Sequence, residues 1–186
     1  QVAVEEPMLL QTDLKGAPLY YDCSTDDARL TLETALDAAE NGATVLNHVR
    51  VQALLRDADD RTGGVRVVDI LTGKVHDVSA LSVINATGPW ADRTRALRGE
   101  EAPPRLRPTK GIHVVVDSER LRVKNAVVCF HPEDGRVLFA IPWKERTYIG
   151  TTDTDFSGDP GDVCADSDDV RYLLEAANHY FPEAKL

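Results

Sequence analysis

Residues 136–160 read RVLFAIPWKERTYIGTTDTDFSGDP. Val137 to Ile141 is a continuous apolar run, which predicts a strand covered on both faces. Pro142 is expected to end it, because proline cannot donate to a sheet ladder. Lys144, Glu145 and Arg146 form a polar turn. Thr147 to Thr152 is β-branched and aromatic around Gly150, so the chain returns as a second strand. Gly150, Thr151, Thr152 and Asp153 fall at the end of that strand. Hydroxyls and a carboxylate placed there either close a turn or line a pocket. An acidic loop follows.

Outward from this hairpin the pattern is mixed. On its N-terminal side, Ile112 to Asp117 and Ala126 to Phe130 read as strands, joined to it by a turn at Pro132 to Gly135. Beyond the acidic loop a helix is predicted with Ser167 as its cap and Asp168 and Asp169 in its first turn. Val170, Leu173, Leu174, Ala177 and Phe181 form its apolar stripe, and Pro182 stops it. Near the N-terminus, Ala17 to Tyr21 reads as a short strand. Ser24-Thr25-Asp26-Asp27 then starts a helix that Asn41-Gly42 ends, with Ala28, Leu32, Ala35, Leu36 and Ala39 on one face. Thr44 to Arg56, Val65 to Leu71 and Val75 to Val78 predict a three-stranded antiparallel meander. Leu81 to Asn85 is expected to be a short buried strand. It runs into Ala86-Thr87-Gly88, and Pro89 opens a helix to about Arg98. Residues 99–108 (GEEAPPRLRP) read as a linker.

Composition narrows the classes of function. The chain of 186 residues carries 21 Lys and Arg against 31 Asp and Glu, a formal charge of −10. That balance argues against a general nucleic-acid binder, which needs a basic surface, and against attraction to an anionic membrane. Cys23, Cys129 and Cys164 form no CxxC and no disulfide framework, which suits a reducing compartment. No apolar run approaches the roughly 20 residues of a membrane span. The N-terminal QVAVEEP is acidic and is not a signal peptide.

Three motifs carry candidate chemistry. A glycine between a strand and a helix N-terminus, as in Asn85 to Trp90, lets a ligand approach the backbone; most such sites are only turns. Arg107-Pro-Thr-Lys-Gly-Ile-His113 offers cations for an anionic substrate and a histidine for proton transfer. Its plain reading is a basic loop before a strand. Arg136, after the turn Pro132-Glu-Asp-Gly135, reads by itself as a surface residue at a strand start. Asp153-Thr-Asp155-Phe-Ser157-Gly158 imitates the start of a calcium loop, but Cys164 stands where the bidentate glutamate is needed. His48, His76, His131 and His179 show no ligand spacing, so no metal is expected.

The segments Ile141-Pro-Trp143, Gly150-Thr-Thr-Asp153 and Gly158-Asp-Pro160, in that order, resemble the FAD-dependent glycerol-3-phosphate dehydrogenases. The likeness extends to INATGPWAD (Ile84 to Asp92), RPTKGIHVVV (Arg107 to Val116) and DDARL (Asp26 to Leu30). It implies a mixed α/β (α+β) fold: part of an FAD-binding domain with a three-stranded meander, and an antiparallel substrate-binding sheet with flanking helices. Residues 24–100 would be the middle of the FAD-binding domain, and 1–23 with 101–186 the substrate-binding region. It also implies hydride transfer from sn-glycerol 3-phosphate to FAD, yielding dihydroxyacetone phosphate, with quinone or oxygen as acceptor. By the same resemblance His113 handles the proton and Arg136 contacts substrate. Lys110, Thr151, Thr152 and Asp153 line the substrate side, and Thr87, Gly88 and Trp90 the cofactor side.

The 12 glycines include no GxG, so the dinucleotide fingerprint is missing. The chain therefore reads as an internal piece of a longer, cytoplasmic and peripherally membrane-associated enzyme. Alone it is expected to be inactive, to retain no FAD, and to self-associate through exposed apolar surface. Two alternatives remain open: a related flavoenzyme acting on amines or hydroxy acids, and a non-catalytic binding module derived from such a domain.

Overall fold

The computed structural model describes residues 2–99 and 103–186. Residues 100–102 of the expected linker lie outside the described residues. In chain order the elements are α1 (Val2–Glu5), α2 (Asp27–Glu40), β1 (Val49–Arg56), β2 (Thr62–Asp69), β3 (Val75–Ser79), α3 (Ala91–Ala96), β4 (Thr109–Lys110), β5 (His113–Asp117), β6 (Val127–Phe130), β7 (Val137–Trp143), β8 (Arg146–Gly150), β9 (Thr154–Asp155) and α4 (Ser167–Tyr180). They form two compact units. One is Gln1–Leu19 with Arg107–Leu186, and the other is Tyr20–Leu106.

In the unit Tyr20–Leu106, α2 begins at Asp27, within the expected start, but its cap is a carboxylate and not a hydroxyl of Ser24 or Thr25. Asp26 is the N-cap and accepts from Arg29 N at 3.0 Å. None of its residues is buried, and Leu30, Leu32 and Leu36 are exposed. β1, β2 and β3 form the expected antiparallel meander in that order. Leu81 to Asn85 is not a strand. It pairs with no other strand among the described residues, and Leu81 and Ile84 are almost fully exposed. Its apolar sequence fits a sheet, but extended backbone becomes a strand only with a ladder neighbour. Ala17 to Tyr21, which straddles the boundary between the units, is likewise unpaired and exposed. The helix at Pro89 is shorter than expected: a 3₁₀ turn over Gly88–Trp90, then α3.

In the other unit, β5, β8, β7 and β6 form one antiparallel sheet in that order. β7 does not stop at Pro142. It runs to Trp143, with Pro142 opposite Thr147. β6 reaches only as far as Ala140. Pro142 therefore has a ladder partner on one side only, where a missing donor is tolerated. Nor is β7 covered on both faces. Leu138 and Ala140 are buried while Val137 and Phe139 are exposed. Leu138, Ala140, Ile149 and Cys129 meet Leu121, Val123 and the α4 residues Ala176 and Ala177 in one core with Phe181. Burying one large apolar side chain contributes about 1.5–3 kcal/mol.

Helix α4 is capped by Asp166, not Ser167. Its carboxylate accepts from the Asp168 and Asp169 N–H groups, and the Asp169 side chain accepts from Asp166 N in return. Two charged residues thus supply the reciprocal cap. Its buried stripe includes Leu173, Ala176 and Ala177, while Leu174 is only half-buried. The acidic loop after β8 is partly ordered: β9 pairs with β4. Buried Glu6 ties the N-terminal segment down, accepting from the backbone N–H groups of Lys124 and Asn125 and from Asn125 Nδ2.

Candidate active site

The four-stranded sheet has one closed and one open face. On the open face lie His113, Val115, Val128, Phe130, Val137, Phe139 and Trp143, all exposed, with Tyr148 half-buried. Alternation puts them there, since successive side chains of a strand point to opposite sides. The register aligns His113, Gly150, Phe139 and Val128 in one row. Val115, Tyr148 and Ile141 form the next.

His113 lies with its ring over the backbone of Gly150. A Cβ at Gly150 would stand 2.9 Å from both Cγ and Nε2 of that ring. Only glycine leaves that space. Tyr148 meets the imidazole edge to face, 5.5 Å between centroids.

Arg136 stands just before β7. Its Nη1 donates to the carbonyl of Asp153, and its Nε lies 3.5 Å from Asp134 Oδ2. The strand that carries Gly150 thus leads into the residue that holds Arg136. Thr151 and Asp153 are exposed, but Thr152 is buried. Its hydroxyl accepts from Ile112 N at 3.0 Å and donates to Lys110 O at 3.2 Å. Thr152 therefore fixes the backbone leading to His113.

Lys110 points into packing. Its ammonium sits 2.7 Å from Asp166 Oδ2 and 2.6 Å from Asp169 Oδ2, with the side chain almost buried. Its pKa is raised, chiefly by the hydrogen bond to Asp166. The Asp166 carboxyl is held down to about 2, chiefly by the hydrogen bond from Lys110. Lys110 thus clamps β4 to the start of α4. Arg107, just before β4, pairs with Asp155 of β9 at 2.7 Å, and this hydrogen bond lowers the Asp155 pKa.

Thr87, Gly88 and Trp90 belong to the unit Tyr20–Leu106. Asn85 Oδ1 accepts from the Thr87 hydroxyl at 2.7 Å, and Asn85 Nδ2 donates to Ala91 O at 2.9 Å. Gly88 adopts φ 53° with open space beside its Cα, and Trp90 is exposed. Among the described residues no group of three or more His, Cys, Asp or Glu could hold a metal ion. Nor is any described helix long and apolar enough to cross a membrane.

Sequence reasoning missed Asp134 and Tyr172. Asp134 accepts from Arg136 N at 3.0 Å and from the Tyr172 hydroxyl at 3.1 and 3.0 Å. Its carboxyl is lowered, first by the Arg136 N–H. An aspartate in a turn two residues before Arg136 was the available signal.

A family profile described as FAD dependent oxidoreductase matches residues 1–186. The chain belongs to this family. It is 39% identical over 186 residues to an aerobic glycerol-3-phosphate dehydrogenase of Staphylococcus haemolyticus, covering all of this chain and 33% of that one. It is 40% identical over 188 residues to an alpha-glycerophosphate oxidase of Enterococcus casseliflavus, covering all of this chain and 31% of that protein. Among solved structures it matches the glycerol-3-phosphate dehydrogenase of Bacillus halodurans complexed with FAD, with a TM-score of 0.93 and 40% identity. That match covers 99% of this chain and 37% of the other. The chain thus spans about a third of the length of the curated relatives it matches. The mixed helices and antiparallel sheets agree with the expected fold class.

The open sheet face fits one part of FAD. It is apolar and aromatic, with Phe139, Trp143 and Tyr148 beside His113, the surroundings that the apolar ring system of FAD would need. No glycine-rich dinucleotide turn accompanies it to hold a pyrophosphate.

Proposed function

We propose that the chain carries the substrate-facing sheet and the middle of the FAD-binding domain of a flavoprotein that oxidises sn-glycerol 3-phosphate to dihydroxyacetone phosphate. The observation that carries this reading is His113 standing on an open apolar sheet face beside Gly150, with Arg136 tied to the turn that follows. The names of the relatives support the substrate. In this reading residues 24–100 belong to the FAD-binding domain, and 1–23 with 101–186 to the substrate side.

A bound FAD supplies the acceptor for the hydride that leaves C2 of the substrate. The residues of this chain do the rest. An imidazole nitrogen of His113 takes the C2 hydroxyl proton as the C2–H bond breaks with its electron pair and the carbonyl forms. The Arg136 guanidinium orients the substrate and favours negative charge on that oxygen. Thr151 and Asp153 are exposed in the turn whose Asp153 carbonyl accepts from Arg136, and their hydroxyl and carboxylate complete the polar rim. Phe139, Tyr148 and Trp143 give the reacting groups an apolar surface to lie against. Thr87, Gly88 and Trp90 face the cofactor. Lys110 and Thr152 act at one remove, by fixing the backbone before His113. We take the acceptor to be quinone, met at a membrane surface. Oxygen is the second reading, favoured by the oxidase relative.

The test is anaerobic reduction of the FAD-loaded protein in its full reading frame. Glycerol 3-phosphate should bleach the visible flavin band, and His113→Asn should slow this about 10²–10⁴-fold. Bleaching by an amine or hydroxy acid but not by glycerol 3-phosphate would move the protein to the alternative substrate class. Reoxidation by a quinone analogue faster than by oxygen would support the acceptor.

A further inference from the structure

Arg136 is held from behind by a network that the proposed chemistry does not use. His131 is fully buried, and its backbone closes the turn at both ends. Its N–H donates to Arg136 O at 2.8 Å, and its carbonyl accepts from Gly135 N at 2.9 Å. Its Nδ1 accepts from Glu133 N at 3.3 Å, which leaves Nε2 as the donor to Tyr172 O at 3.2 Å. The imidazole therefore ties the turn to α4. The ring stacks flat on Tyr172, 3.8 Å between centroids and 2° from parallel. That stack fixes the direction of the Tyr172 hydroxyl, which bridges both oxygens of Asp134. Asp134 in turn receives Arg136 N and faces Arg136 Nε.

We propose that Tyr172, acting through Asp134, is a positioning residue that sets the orientation of the Arg136 guanidinium toward the substrate. The inference rests on the reading of Arg136 given above. A carboxylate beside an arginine at a strand start has several rotamers open to it. The single Tyr172 hydroxyl proton, shared between the two Asp134 oxygens, removes that freedom, and Arg136 Nε then faces Asp134 Oδ2 as an ion pair at 3.5 Å. Nη1 is committed to the Asp153 carbonyl. With Nε and Nη1 both directed, Nη2 is left with one direction to point. The site would thereby select a substrate carrying an anionic or strongly polar oxygen at one fixed place. Helix α4, remote in sequence from Arg136, would be part of that selection.

The experiment combines a spectroscopic readout with a double-mutant cycle. Tyr172→Phe keeps the stack on His131 and removes only the hydroxyl. In a ¹⁵N spectrum the Arg136 Nε–H should exchange with solvent about tenfold faster in that variant, since the Asp134 carboxylate it faces loses its hydrogen bond from Tyr172 and is free to turn away. In the FAD-loaded protein, Tyr172→Phe should lower kcat/KM for glycerol 3-phosphate about tenfold. The same change in an Arg136→Lys background should have no further effect, because residues in one network are not additive. Asp134→Asn, which keeps the side-chain volume, should reproduce the Tyr172→Phe result. Unchanged Arg136 exchange in Tyr172→Phe would overturn the proposal. So would full additivity in the cycle, the mark of a purely structural role. If exchange rises but neither Arg136→Lys nor Tyr172→Phe alters kcat/KM, the positioning of Arg136 stands and the substrate reading of Arg136 falls.

Discussion

The two units apply the same patterning rules to different ends. The unit containing the four-stranded sheet buries Leu121, Leu138, Ile149, Leu173 and Phe181 almost completely. In the unit Tyr20–Leu106, Val68 is the buried apolar side chain among the described residues, although α2 and the meander carry equally clear apolar faces. A sequence pattern states which face wants cover, but only neighbouring chain provides it. The same contrast recurs within the sheet. Its inner face is closed by α4, and its outer face keeps aromatic and aliphatic groups in the open beside His113.

Four measurements would break or sharpen that contrast. The largest difference should appear in native-state hydrogen exchange. Amides of Leu138, Ala140 and Ile149 should exchange about 10³-fold slower than those of Leu36 and Ala38, because local opening energies follow buried packing. Equal protection would erase the distinction. Next, Leu138→Ala should cost about 2–5 kcal/mol through lost transfer energy and a cavity. Leu32→Ala on the exposed face of α2 should stay within about 0.5 kcal/mol. Denaturant midpoints on both variants decide this, and matching costs would mean that α2 is covered in solution. Third, Gly150→Ala should cost about 1–3 kcal/mol by overpacking against the His113 ring. Its effect on flavin reduction should exceed its effect on melting temperature. A variant that melts early but reacts normally would show that the ring's seat is structural only.

The smallest effect is one of pH. The Asp166 carboxyl titrates near 2 in the folded chain, held down by Lys110, and near 4 when unfolded, as for an ordinary aspartate, about 3.9. A depressed folded value stabilises the fold above the unfolded value. That contribution is lost as pH falls from about 4 to about 2. The melting temperature of the native chain should therefore fall more steeply across this window than that of Asp166→Asn. Parallel curves would show that the clamp at Lys110 does not couple to folding.

Much of the fold was legible because local signals sufficed. Asp26 at the start of α2, the turn residues of the meander and the strands around Arg136–Pro160 needed no distant partner. The errors came where distant partners decide. Leu81 to Asn85 has a strand's composition but meets no ladder. Val137 to Ile141 is apolar throughout, so its burial on one face only depends on what lies across the sheet. Pro142 is accommodated because β6 has already ended. For the candidate site, His113 and Arg136 could be singled out by residue type and resemblance. The inward turn of Lys110 and Thr152 could not, since it depends on carboxylates some 56 residues further along and on a backbone 42 residues back. Ser167 and Asp166 are both good caps, and Lys110 on Asp166 accompanies the choice between them.

The open face is also a question of counting. Outward residues are odd-numbered in β5 and β7 and even-numbered in β6 and β8. Between Trp143 and Arg146 the loop holds two residues, Lys144 and Glu145, with Lys144 at φ 55°. Adding or deleting one residue there would exchange odd for even along β8. Thr147 and Ile149 would turn outward while Tyr148 and Gly150 turned in, although no residue of the site had been altered. The hairpin tip thus acts as a reading frame for the surface. Length changes there that preserve the face should come in steps of two.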